Sequence, residues 1–212
     1  MITIHSRISP AQVIGDVLTN HLRVVEGDGE LYEAAKGCVN SAIAAAETYT
    51  NRLLVDSSVT MSFDRVDGRV IELPTAPIVE ISAVQYIGKD GQWHDFTDYT
   101  LVGNIHRARL ELHSMPDIDT ARMLEVFKVS AHVGFTSIPI IDGGGSGGLI
   151  PMPKTSSPSA GDWPADIVAA IKLIAATLLD NPADNVTGTI ASELPMNAKM
   201  LLTPYRITPY GL

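Results

Sequence analysis

The sequence holds one cysteine, Cys38, among 212 residues, so no internal disulfide can form and nothing points to an oxidising compartment. Positive charge is scarce: fifteen Lys and Arg stand against twenty-four Asp and Glu, a net charge of −9. A protein that gripped DNA through its phosphates would carry the opposite balance. There is no long hydrophobic run. The most apolar stretch, Ile167 to Leu179, is interrupted by Lys172, and a membrane span needs about 20 such residues. Met1 to Ser9 lacks an apolar core of signal-peptide length. What remains is ordinary globular composition, 45% hydrophobic and 18% charged. It excludes a wholly disordered chain and reads as a soluble cytoplasmic protein. The length suits one generous domain, or one domain carrying a substantial insertion.

Periodicity divides the chain. Ser9-Pro10-Ala11-Gln12 has the form of a capping box with Pro at the first helical position. Val13, Val17, Leu18 and Leu22 follow on one helical face, which predicts a helix near residues 10–23. Glu26-Gly27-Asp28-Gly29 reads as a break, with Asp28 a plausible cap for the next helix. Leu31, Ala34, Ala35, Cys38, Ala42, Ala45, Ala46, Tyr49 and Leu53 then recur at three- and four-residue steps, predicting a helix near 29–54.

From about residue 57 the period becomes two. Met61 and Phe63 alternate with polar neighbours, and Val70 to Leu73 ends at Pro74. Val79, Ile81, Ala83 and Ile87 are expected on one strand face, and Lys89-Asp90-Gly91-Gln92 is a strong hairpin signal. Trp93 to Phe96, Tyr99 to Val102, Ala108 to Leu112 and Phe127 to Phe135 supply further strands. The whole reads as a run of antiparallel strands with one covered face. Residues 136–162, centred on Gly143 to Gly148, are rich in Gly, Ser and Pro and are expected to form a mobile loop. Helical signal returns at Trp163-Pro164, stops at Asn181-Pro182, and recurs briefly from about Met196 to Leu202. The expected fold is α+β. A helical bundle core, built from the N-terminal segment 1–56 and the C-terminal segment 163–212, accepts an inserted antiparallel β-region over 57–135 and the loop 136–162.

Chemistry is hard to find. The six histidines show no H-E-x-x-H spacing, and His106 and His113, seven apart, would fall on opposite strand faces. Cys38 lies on the apolar stripe of its helix and reads as a buried small hydrophobe. Gly143, Gly145 and Gly148 satisfy G-x-G-x-x-G, but Pro151, Pro153 and Pro158 follow where a nucleotide-binding helix would have to start. The pairs Asp64/Asp67 and Asp117/Asp119 resemble solvated turns rather than a calcium loop. No catalytic, cofactor-binding or metal-binding residue is assigned, and no cofactor is expected. The terminal segment is more suggestive. Leu202, Thr203, Pro204, Tyr205, Arg206, Ile207, Pro209 and Tyr210 combine Tyr and Arg anchors with prolines that reduce the entropy lost on docking an extended strand.

The ordered series of landmarks resembles the head–tail connector proteins of tailed bacteriophages, also called adaptor or head-completion proteins. The resemblance runs from about residue 10 to 206. It is carried by His21-Leu22-Arg23-Val24, by Ala46-Glu47-Thr48-Tyr49-Thr50-Asn51-Arg52-Leu53-Leu54, and by Ile71-Glu72-Leu73-Pro74 with Pro77-Ile78. Ser82-Ala83-Val84-Gln85-Tyr86, Lys89-Asp90-Gly91 and Val129 to Phe135 continue it, and Trp163-Pro164, Glu193-Leu194-Pro195 and Leu201 to Arg206 complete it. The chain departs from the pattern at Leu179-Asp180-Asn181-Pro182, where relatives often carry Tyr and Asn-Arg.

The resemblance implies a structural virion protein at the head–tail interface, assembled in the host cytoplasm, and not an enzyme. Such connectors form a ring, commonly of twelve copies, under the portal protein. The ring extends the DNA channel and offers a platform to stopper or tail-completion proteins. DNA passes through without sequence-specific binding, no membrane is involved, and the C-terminal tail docks on the portal. Twelve copies at −9 each would carry about −108, a wall that does not hold phosphates. Two other readings stay open: a small cytoplasmic ligand-binding enzyme using the glycine loop, and a generic oligomeric interaction module. Deleting Gly143 to Gly148 would abolish ligand binding in the enzyme and leave a connector folded.

Overall fold

Among the described residues, seven strands and four α-helices form where the hydrophobic period predicts them, and an eighth strand is added at the N-terminus. The structure, a computed structural model, describes residues 1–7, 11–119, 122, 124–135, 163–181 and 194–207. The glycine-rich segment 136–162, the capping-box residues Ser9 and Pro10, the stop residue Pro182, Glu193, and Pro209 and Tyr210 of the tail lie outside the described residues. The chain divides into two compact units. One comprises Met1–Arg7 and Asp56–Asp162, and the other Ile8–Val55 and Trp163–Leu212.

The β unit contains β1 (Ile2–Arg7), β2 (Ser57–Phe63), β3 (Val70–Leu73), β4 (Ile78–Ile87), β5 (Trp93–Asp95), β6 (Tyr99–Gly103), β7 (Ala108–Leu112) and β8 (Phe127–Val133). Residues 1–7 therefore belong with the strands, although they fall in the segment 1–56 expected to be helical. Pairing is antiparallel and makes two sheets, β1-β2-β8-β4-β5 and β3-β7-β6, where the sequence suggested a single run. In β8 the alternation holds throughout: Phe127, Val129, Ala131 and Val133 are all buried, opposite Val59 and Met61 of β2. In β4 it does not. The expected face of Val79, Ile81, Ala83 and Ile87 gives way to Ile78, Val84 and Ile87, because the register slips between Ile78 and Glu80 and again between Ile81 and Ala83. Each extra residue in a bulge reverses which side chains face inward. The hairpin after β4 forms as expected. Gly91 takes φ +75°, its N–H donates to the Gly88 carbonyl at 2.9 Å, and Asp90 Oδ1 accepts from the Gln92 N–H at 3.0 Å.

The helical unit contains α1 (Ala11–Asp16), which runs on as a π-helical turn over Val17–Leu22, then α2 (Glu30–Thr50), α3 (Ala165–Asp180) and α4 (Met196–Leu202). These four helices pack together. The small residues Ala35, Cys38, Ala42 and Ala46 of α2 are buried and permit close approach by α3, which buries Ile167, Ala170, Ile171, Ile174 and Ala175. As its broad apolar face predicts, α3 is central, touching α2, α4 and the π turn. The cap of α2 differs from expectation. Gly29 occupies the N-cap, and the Asp28 carboxylate instead accepts the Val25 N–H at 2.8 Å, closing the 3-10 turn Glu26–Asp28. Among the described residues no helix is long and apolar enough to cross a membrane.

One half-buried ion pair ties the first helical segment to α3. Lys172 Nζ lies 2.8 Å from Asp16 Oδ2, and Asn20 Nδ2 donates to Asp16 Oδ1 at 2.8 Å. The Lys172 hydrogen bond, followed by that of Asn20, holds the Asp16 carboxyl below its usual value. A depressed carboxyl pKa stabilises the fold above the unfolded value of about 3.9, and the contribution fades as pH falls through the lower folded value. Asp16→Asn should therefore cost up to about 1 kcal/mol at neutral pH and nothing once both states are protonated. Thermal midpoints measured from neutral pH down to about pH 2 would show the two proteins converging in acid.

Candidate protein-interaction site

The segment Ala46 to Leu54 is polar for a helix end that must be buried. The structure resolves this by folding its polar groups onto one another. Asn51 ends α2 in the left-handed conformation, φ 54°, and its N–H returns to the Glu47 carbonyl. The Glu47 side chain, only 8% exposed, continues past the turn, where Oε1 accepts the N–H groups of Leu54 at 2.9 Å and Val55 at 3.2 Å. Thr50 Oγ1 donates to the Ala46 carbonyl at 2.7 Å. Arg52 is 4% exposed. Burial lowers its guanidinium to about 10, against a smaller raising influence from Tyr205, so it remains charged at neutral pH.

The C-terminal segment closes on this corner. Leu202 is fully buried, and Thr203–Tyr205 forms a 3-10 turn rather than the start of an extended tail. Thr203 Oγ1 donates to the Lys199 carbonyl at 2.7 Å and meets the Tyr49 hydroxyl at 3.0 Å. Tyr205 is buried, its hydroxyl donating to Asp166 Oδ2 at 3.4 Å. Burial first, and then the Asp166 carboxylate, raise its phenol pKa. The Arg206 guanidinium lies 5.6 Å from the centre of the Tyr49 ring. The Ile207 N–H donates to the Thr50 carbonyl at 2.8 Å, and Asn51 Nδ2 donates to the Ile207 carbonyl at 3.3 Å.

The candidate docking residues therefore divide. Leu202 and Tyr205 are packed inside their own subunit. Thr203, Pro204 and Arg206 are exposed, and Ile207 is pinned to the end of α2. The backbone is held at this corner as far as Ile207. Glu47 and Arg52, which build the corner, were carried in the sequence only as parts of a resemblance. A Glu one turn before a helix end, followed by an apolar pair seven and eight residues on, was the available signal.

The other histidines and the two acidic pairs make separate contacts, most of them at the surface. His5 meets Thr60 at 2.8 Å, His94 meets Asp90 at 3.0 Å, and His113 lies 3.2 Å from Asp98 and 2.9 Å from Thr100. His106 sits in the turn between β6 and β7, away from any strand face. Asp117 pairs with Lys89 at 2.6 Å, Asp67 pairs with Arg65 at 3.2 Å, and Asp64 accepts the Glu125 N–H at 2.9 Å. Cys38 is 6% exposed, as its helical position predicts. Among the described residues no three His, Cys, Asp or Glu side chains come together as a metal site requires.

No family model matches the sequence, and no curated protein matches it. The fold, however, matches solved chains over nearly its full length. A chain in the virion of a native gene transfer agent particle superposes with TM-score 0.65 at 19% identity, covering 98% of this chain and 96% of the other. A chain in the neck of a native particle, computed with twelvefold symmetry, gives TM-score 0.63 at 20% identity with the same coverage. One in the neck of an empty particle, computed with sixfold symmetry, gives 0.61 at 18%.

Proposed function

We propose that this chain is a structural head–tail connector of a phage or phage-like particle. It assembles as a ring of twelve copies beneath the portal, extends the DNA channel, and presents a platform to stopper or tail-completion proteins. The observation that carries the reading is the near-full-length likeness of its fold to chains of gene transfer agent virions and necks, one of them in a twelvefold map. Two further features favour it. The net charge of −9 suits a conduit that does not hold DNA, and the C-terminal segment is anchored where it leaves the helical unit, so that residues beyond Ile207 start from a defined point. The docking segment runs from Leu202 to Tyr210, with Leu202 to Ile207 as its base and Pro209 and Tyr210 in the part that reaches the portal. Its role is assembly, with no substrate turned over.

Negative-stain electron microscopy of the purified protein, alone and mixed with the portal encoded beside it, tests the reading. Rings, or an added layer on the portal, are expected and give the symmetry. Absence of both overturns the proposal.

A further inference from the structure

Among the described residues the helical unit exposes four large apolar side chains, in two pairs near opposite ends of α2. At its N-terminus Val25 is 54% and Leu31 50% exposed, flanking the turn that starts the helix. At its C-terminus α4 leads directly into Thr203, which touches Tyr49, and shows Met196 and Met200 at 78% and 69% exposure. These methionines are four residues apart and share one face of α4. The span from Leu31 to Tyr49 is about 27 Å of helix, so one copy cannot cover its own patches with each other.

The rims of the two patches carry opposite charge. Residues 23–36 hold Glu26, Asp28, Glu30 and Glu33 against Arg23 and Lys36, the latter 3.9 Å from Glu33. Residues 196–207 hold Lys199 and Arg206 and no acid, with Asp166 approaching only at the Tyr205 hydroxyl. Two different, complementary patches on one molecule generate a head-to-tail contact that closes into a ring when the rotation permits. Flexible thioethers suit such a face, since they adapt to an irregular partner, and the opposite rims would steer copies into that order.

We propose that the occupant of each patch is a second copy of this chain: the Met196/Met200 face of α4 packs on the Val25/Leu31 end of α2 in the next subunit. This rests on the ring reading and names the surfaces that would build the ring.

The test uses the full chain in assembly conditions, with portal supplied if the protein alone stays monomeric. Met196→Asp/Met200→Asp should lose ring formation while melting within a few degrees of wild type, because both side chains are already in water. Arg206→Glu and Glu33→Arg should each reduce assembly several-fold, and their combination should restore part of it. A Leu31→Cys/Met200→Cys protein in a Cys38→Ala background should give an oxidised ladder of crosslinked subunits, with neither single cysteine doing so. Rings from the double aspartate variant, together with no ladder, overturn this interface and leave the connector reading intact. No oligomer from the wild-type chain, alone or on portal, overturns both.

Discussion

Glu47→Leu is expected to destabilise the helical unit by about 2–6 kcal/mol, and Glu47→Gln by about 1 kcal/mol. Leu54 and Val55 are buried, and both of their backbone N–H groups are satisfied by the same carboxylate oxygen. An apolar side chain of similar length takes this acceptor from both buried N–H groups, at about 1–3 kcal/mol each. Glutamine retains a carbonyl oxygen in the same place, so it loses only the additional strength of a charged acceptor. Urea denaturation followed by far-ultraviolet circular dichroism gives both values. Amide exchange at Leu54 and Val55 locates the effect: protection there should collapse in the leucine variant and persist in the glutamine one. Equal stability of the leucine variant and wild type would mean that the turn after α2 is held by its packing and not by Glu47.

That corner also marks where reading the sequence stopped. Local periodicity was sufficient for α3, β7 and β8, because each repeats its apolar residues at the spacing of its own element and buries that face. It placed α2 but not the start of its buried face, since Leu31 and Ala34 of the expected stripe are exposed while Val39 and Ile43 are buried. It failed where the deciding contact is distant. β1 is a strand because it pairs with β2, across a register that sets Ile2 opposite Met61 and Arg7 opposite Ser57. Five of its six side chains are exposed, so no burial pattern was written into them. The inward face of β4 was misplaced because two bulges shift its parity, and nothing in Val79 to Ile87 announces a bulge. The division into two sheets likewise depends on β7 choosing β3 and β6 as partners. At the candidate site, tyrosine, arginine and proline singled out the segment by residue type. They did not reveal that the first contacts are made within the subunit, since only the fold brings Thr50 and Ile207, 157 residues apart, to a hydrogen bond of 2.8 Å.

A chain ending at Leu202 should lose portal binding for the wrong reason. It discards Tyr205, which is buried, and the backbone bond from Ile207 to Thr50, and it uncovers the corner that holds Arg52. Removing a buried aromatic alone costs about 3–5 kcal/mol, a large part of the stability of an ordinary domain. A chain ending at Ile207 keeps every one of those contacts. Its thermal midpoint should match that of the full-length protein, while its added layer on the portal should be lost in negative stain. Tyr205→Ala and Tyr205→Phe separate the two effects further. The alanine variant should be destabilised nearly as much as the shorter truncation. The phenylalanine variant gives up only the 3.4 Å bond to Asp166, worth about 1 kcal/mol or less, and should dock normally. Full portal binding by the chain ending at Ile207 would show that residues beyond it are dispensable, and would move the contact to the exposed surface of Thr203, Pro204 and Arg206. That surface lies on a part of the chain the subunit itself holds rigid, so docking there would be a contact between folded surfaces and not the capture of a tail.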